Sequence, residues 1–149
     1  MQFKKFSHEY WMAYAIKIAK EVKNEVPVSA LVVKDNVLIS RAVNKTETVQ
    51  NPASHAEVLA ICDAAKILKN WRLLDTILYT TLEPCSMCAG LIINARIPKI
   101  VFSAYDGING ACGSKINLFY ELDKKIEIIG GILEKESTEI IKSFFVLKR

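Results

Sequence analysis

His55-Ala56-Glu57 and Thr81-Leu82-Glu83-Pro84-Cys85-Ser86-Met87-Cys88-Ala89-Gly90 decide how this chain is read. His55, Cys85 and Cys88 offer one imidazole and two thiols, a donor set that suits zinc. Three protein ligands leave the fourth tetrahedral position open to a water, which marks a catalytic rather than a structural zinc. A structural site would be closed by a fourth ligand, and none is at hand. His8 is the only other histidine, and Cys62 and Cys112 have no ligand-like spacing. Glu57 is not needed as a ligand, so it is available to move protons. Cys85 and Cys88, three apart, face the same way on a helical turn. His55 and Glu57, two apart, diverge on an ideal helix, so the site requires the looser backbone of a helix start.

Outward from these motifs the pattern alternates helix and strand. Ser7 caps a helix running to about Lys23, with Met12, Ala15, Ile16, Ala19 and Val22 on one face. Val26–Val33 and Val37–Ala42 form a hairpin across the turn Lys34-Asp35-Asn36. Polar residues from Lys45 to Ser54, with Pro52, read as loop. A helix from near Ser54 to Leu68, stopped at Asn70, carries His55 and Glu57 in its first turn. Thr76–Thr81 reads as a buried strand. Pro84 suits a helix start, with the helix covering Ser86 to about Ala95. Lys99–Ser103, a glycine-rich loop Asp106–Ser114, a helix Ile116–Leu122, a strand Lys125–Ile129 and an amphipathic helix Glu134–Leu147 complete the chain. This alternation predicts an α/β fold, a three-layer α/β/α domain over residues 1–149 with a five-stranded mixed sheet.

The 149 residues suffice for one domain with its own core, and 51% hydrophobic against 24% charged residues reads as globular. No apolar run approaches the ~18 residues that span a bilayer. Glu9, Lys17 and Lys20 interrupt the first apolar stretch, so no signal peptide is read and the cytoplasm is the expected compartment. Four cysteines there argue for metal or thiol chemistry before disulfides. Cys62 and Cys112 read as small buried hydrophobes. The net charge of +4 permits a polyanionic partner such as RNA without demanding one.

The His-x-Glu and Pro-Cys-x-x-Cys pair is the signature of zinc nucleobase deaminases. The chain resembles the cytidine deaminase superfamily and, within it, the bacterial tRNA-specific adenosine deaminases. The resemblance runs from about Tyr10 to Arg149. It includes Glu25-Val26-Pro27-Val28, Asn44 ahead of His55, Asn70-Trp71-Arg72-Leu73, the loop Asp106-Gly107-Ile108-Asn109-Gly110-Ala111-Cys112-Gly113-Ser114 and the tail Phe144-Phe145-Val146-Leu147-Lys148-Arg149. Ser29 stands where that family usually has glycine, Asn51 where aspartate is common, Ser54 where alanine is usual, and Tyr105 where a basic residue is often found.

The resemblance implies hydrolytic deamination of adenosine to inosine at the wobble position of a tRNA anticodon, releasing ammonia. The base is flipped out of the loop stack into the pocket. It implies one zinc per subunit on His55, Cys85 and Cys88, with Glu57 as the catalytic acid and base. Asn44 is assigned to the purine edge, and backbone near Ala56, Glu83 and Pro84 to the reacting ring. Asp106, Asn109, Ser114, Phe145, Lys148 and Arg149 are candidates for contact with the anticodon stem-loop. RNA rather than DNA, and a homodimer, are the expected partners, with no membrane association. Two other readings compete: a deaminase of a free base or nucleoside of the guanine or cytosine type, and a non-catalytic RNA-binding zinc subunit. The metal motif serves all three. The Asp106–Ser114 loop and the Phe-Phe-basic tail favour the tRNA enzyme, and the presence of Glu57 weighs against a silent subunit.

Overall fold

The computed structural model describes residues 3–147. Five strands form one mixed sheet in the order β2-β1-β3-β4-β5. They are β1 (Ser29–Lys34), β2 (Val37–Val43), β3 (Thr76–Leu82), β4 (Lys99–Ala104) and β5 (Glu127–Ile129). β1 is antiparallel to both β2 and β3, whereas β3, β4 and β5 run parallel. The hairpin needs only the turn at Asp35 and Asn36, both left-handed, while the parallel pairs need helical crossovers.

Alternation along the central strands sends side chains to both faces. Leu31, Val33, Tyr79 and Val101 meet Trp11, Met12, Ala15 and Ile16 of α1 (His8–Lys20) on one side, with Ile140 of α6 (Glu134–Leu147) against them. Val32, Leu78, Ile100 and Phe102 point the other way, onto Ala60 and Ala64 of α3 (Ala56–Leu68) and Ile92 of α4 (Ser86–Asn94). Two helical layers thus enclose the sheet, as the sequence pattern predicts.

Several boundaries differ from expectation for local reasons. The first helix ends at Lys20, with Glu21 as its C-cap, rather than near Lys23. β1 begins at Ser29, not Val26. Pro27 has no N–H to give, and the Val28 N–H turns back to the Val26 carbonyl. Ser29 is fully buried, its hydroxyl donating to the Ala15 carbonyl and its N–H to Thr81 Oγ1, so its side chain is absorbed by the core. Lys69, in a left-handed conformation, ends α3 one residue before the expected stop at Asn70. The predicted helix Ile116–Leu122 shrinks to α5 (Leu118–Glu121), capped by Asn117, and the last strand shrinks to three residues.

The segment Lys45–Ser54, expected as loop, contains a single helical turn, α2 (Thr46–Val49). Cys112 is buried as expected, but Cys62 is exposed. Ala56, Ala60, Ile61 and Ala64 form the inward stripe of α3, and Cys62 falls outside that stripe.

Candidate metal centre and pocket

His55 and Cys85 occupy equivalent places in the fold. Each is the N-cap of its helix, α3 and α4, with extended backbone (φ −73°, ψ 151° and φ −75°, ψ 176°). This resolves the spacing problem at His55-Ala56-Glu57. His55 lies outside the helical spiral while Glu57 is within its first turn, so both reach one site. Cys88 is the third residue of α4. The N-cap and N3 side chains of a helix lean toward each other, the geometry used by capping boxes. The Cys-x-x-Cys spacing is therefore a helix-start spacing.

The two helix N-termini bring the three donors together. His55 Nδ1 lies 3.6 Å from Cys85 Sγ and 3.5 Å from Cys88 Sγ. All three ligand atoms fall within 4.8 Å of one another. A tetrahedral zinc with ordinary Zn–N and Zn–S bonds sets nitrogen and sulfur about 3.6 Å apart. The donor set and its spacing therefore fit zinc, with Nδ1 as the imidazole ligand. Among the described residues this is the one such group.

The electrostatics of the cluster favour a cation. Cys85 is pulled down to about 4, chiefly by the hydrogen bond from the Cys88 thiol, with His55 adding to it against the opposing effect of burial. Cys88 is pushed far up, first because its proton is committed to Cys85 and then because it is buried. His55 is raised, foremost by its hydrogen bond to Cys85. One thiolate and shared protons sit at the positive ends of two helix dipoles. A divalent cation entering here displaces those protons and completes the cluster. Glu57 is buried beside it, and desolvation lifts its carboxyl above the usual carboxylate range. A carboxyl raised in this way both accepts and returns a proton more readily near neutral pH.

A cleft of about 840 Å³ opens onto the cluster. Asn44, Ala56 and Glu83 line it, as do Asp106, Asn109 and Phe145. Pro84 is buried and outside the lining, its carbonyl accepting from the Ala111 N–H. Ser114 also lies outside it and hydrogen-bonds Glu83. Asp106 Oδ1 accepts from the Ile108 and Asn109 N–H groups at 3.0 Å, so this side chain shapes its own loop. Lys148 and Arg149 lie outside the described residues.

Some groups at the cleft were not singled out from sequence. Lys115 lines it, and so do Thr138, Ile141 and Lys142, which with Phe145 form one face of α6. Their spacing of three, four and seven residues was the available signal. Tyr105, half-exposed at the rim, is held edge-on to Phe102, with ring centroids 5.1 Å apart. Buried Glu25 accepts from the Glu47 and Thr48 N–H groups and the Thr48 hydroxyl, supplying the N-terminal partners that α2 lacks from its own cap, Lys45. Thr46 Oγ1 in turn donates to Asn44 Oδ1 at 3.1 Å. The wall bearing Asn44 is thus fixed by a buried acid 19 positions upstream of it.

Comparison with known proteins agrees with this geometry. The family model for the cytidine and deoxycytidylate deaminase zinc-binding region matches residues 5–104. The tRNA-specific adenosine deaminase of Bacillus subtilis is 43% identical over 141 residues, covering 92% of this chain and 88% of that protein. A solved structure from work on A-to-I editing by tRNA:A34 deaminases superposes with a TM-score of 0.84. It is 35% identical, over 88% of this chain and 98% of the other. A guanine deaminase from Bacillus subtilis superposes less closely, with a TM-score of 0.66 at 31% identity over 95% and 94% of the two chains. The donor cluster with its neighbouring glutamate is that of the zinc-dependent nucleobase deaminase class. Within it, the chain belongs to the family of tRNA-specific adenosine deaminases.

Cys88→Ala removes one of three donors and is expected to abolish stoichiometric zinc, read by metal analysis of the purified protein. Glu57→Ala leaves the donors intact and is expected to retain one zinc per chain. A zinc-free Glu57→Ala variant would instead make Glu57 part of the ligand set.

Proposed function

We propose that this protein hydrolyses the exocyclic amine of adenosine at the wobble position of a tRNA anticodon, yielding inosine and ammonia, as one domain over residues 1–149. The observation that carries the reading is the buried Glu57 carboxyl beside the His55, Cys85 and Cys88 cluster at the floor of a nucleotide-sized cleft. Zinc, held by His55 Nδ1, Cys85 Sγ and Cys88 Sγ, supplies the Lewis acidity that makes a water nucleophilic near neutral pH.

The chain's own residues do the rest. Glu57 takes the water's proton as oxygen adds to the amine-bearing carbon, and gives it to the adjacent ring nitrogen. As the carbon–oxygen double bond forms and the carbon–nitrogen bond breaks, it passes the remaining hydroxyl proton to the departing amine, so one residue serves two sequential transfers. The Asn44 oxygen is engaged by Thr46, which leaves its amide nitrogen to donate to a purine ring nitrogen. Phe145 presents an exposed ring at the cleft, suited to stack on an unpaired base. Lys115 and Lys142 set two cations at the same mouth for the phosphates of the anticodon stem-loop. The higher sequence identity of the tRNA deaminases favours RNA over a free base.

Three further features belong to this reading. Ile67, Trp71 and Leu74 are each more than half exposed, an apolar surface that a second copy in a homodimer would cover. None of the four cysteines is in a disulfide, in keeping with a reducing compartment such as the cytoplasm. Among the described residues no helix is long and apolar enough to cross a membrane.

The test is inosine formation by zinc-loaded protein on an anticodon hairpin with a wobble adenosine, beside free adenosine, guanine and cytidine. Product from the hairpin alone is expected, and turnover only of a free base or nucleoside would overturn the RNA assignment. Glu57→Ala should slow the hairpin reaction by about 10²–10⁴-fold, the range of general acid–base catalysis. Lys142→Ala should weaken hairpin binding and lower the slope of log affinity against log salt by roughly one.

A further inference from the structure

Glu83 is a buried acid that neither the metal cluster nor the proton transfers use. It is 2% exposed. Among the described residues no cation pairs with it; the one ion pair joins Lys99 to Glu127. Its carboxylate is satisfied entirely by one loop. Oε1 accepts from the Asp106 N–H at 3.1 Å and from the Ser114 hydroxyl. Oε2 accepts from the Cys112 N–H at 3.0 Å and the Ser114 N–H at 3.1 Å. Both ends of the 106–114 segment are therefore tied to one side chain.

The same loop is locked to the metal ligand's backbone. Gly110 forms an antiparallel bridge with Cys85, and the Ala111 N–H donates to the Pro84 carbonyl at 2.8 Å. The close approach explains Gly110. A Cβ there would sit 2.5 Å from the Glu83 carboxyl carbon and Oε2. Asp106, Ile108, Asn109 and Lys115 face the cleft from this loop. A buried acid side chain is costly unless its oxygens are hydrogen-bonded, and a fold seeking stability alone is served as well by apolar packing.

We propose that Glu83 is a positioning residue for substrate: it sets the register of the 106–115 loop against Cys85, and so fixes where nucleotides flanking the reacting base sit relative to the metal cluster. This rests on the tRNA reading above. The Glu83 side chain acts through the loop, since both its oxygens are taken up by loop donors. Its loss therefore loosens substrate placement while the donor cluster and Glu57 remain in place.

The experiment compares wild type, Glu83→Gln and Ser114→Ala on the anticodon hairpin, each with zinc content, melting temperature, KM and kcat. Glu83→Gln puts an amide where two donors already point. It is expected to keep one zinc per chain and raise KM about tenfold or more, with kcat changed less than about threefold. Ser114→Ala removes a single hydroxyl donor and should raise KM about two- to threefold with the same zinc content. A KM equal to wild type in both variants overturns the proposal, as does a fall in kcat at unchanged KM, which would place Glu83 in the chemistry. If Glu83→Gln fails to fold, Ser114→Ala decides by the same KM criterion. Wild type inactive on the hairpin is a different failure: the tRNA reading falls, and the proposal with it.

Discussion

Everything in this structure depends on holding one imidazole nitrogen 3.5–3.6 Å from two sulfurs at the start of two helices. The three donors come from segments 30 and 33 residues apart, so no local preference can assemble them. The sheet does it. β1 lies antiparallel to β3, and the α3 and α4 helices pack on one face, so their N-termini open toward the same end of the sheet. Both N-cap residues take extended backbone there, which frees their side chains from the helical spiral. The two helix N-termini favour thiolate over thiol, as does the lowered proton affinity of Cys85, and it is the thiolate charge that draws a cation into the cluster.

Around that fixed point the cleft is built by buried acids whose partners are backbone N–H groups. Glu25 supplies the N-terminal partners of α2 and, through Thr46, orders Asn44. Glu83 gathers the 106–114 loop and registers it on the Cys85 backbone. Glu57, the third, sits inside the cluster where burial raises its proton affinity. A carboxylate accepts several N–H bonds at once, which lets one residue fix a loop that has no regular ladder of its own. Two walls of the cleft are thereby set with the precision of a core rather than the freedom of a surface loop.

What the sequence made legible follows from range. Cys85 and Cys88 could be read because their relation is local, the N-cap and N3 of one helix. The layers were legible because the sheet is covered on both faces, giving β1 and β4 the nearly continuous apolar runs of buried strands. The turn at Thr46–Val49 was hidden because its stabilising partner, Glu25, lies on the far side of the β-hairpin. Cys62 was misplaced because composition favours buried cysteine, whereas the phase of α3 turns it outward. The cations at the cleft, Lys115 and Lys142, were passed over for the terminal Lys148 and Arg149, although the face shared by Lys142 and Phe145 was present in the helical spacing. Ser114, read from sequence as an RNA contact, also bonds Glu83, a relation that only the folded loop creates.

The most direct measurement is a zinc titration of metal-stripped protein, followed by the rate of inosine formation on the anticodon hairpin. If one three-donor cluster underlies the reaction, the rate rises in proportion to bound zinc and levels off at one zinc per chain. A rate independent of zinc, or one that keeps rising to a second equivalent, would contradict the assignment of the chemistry to His55, Cys85, Cys88 and Glu57.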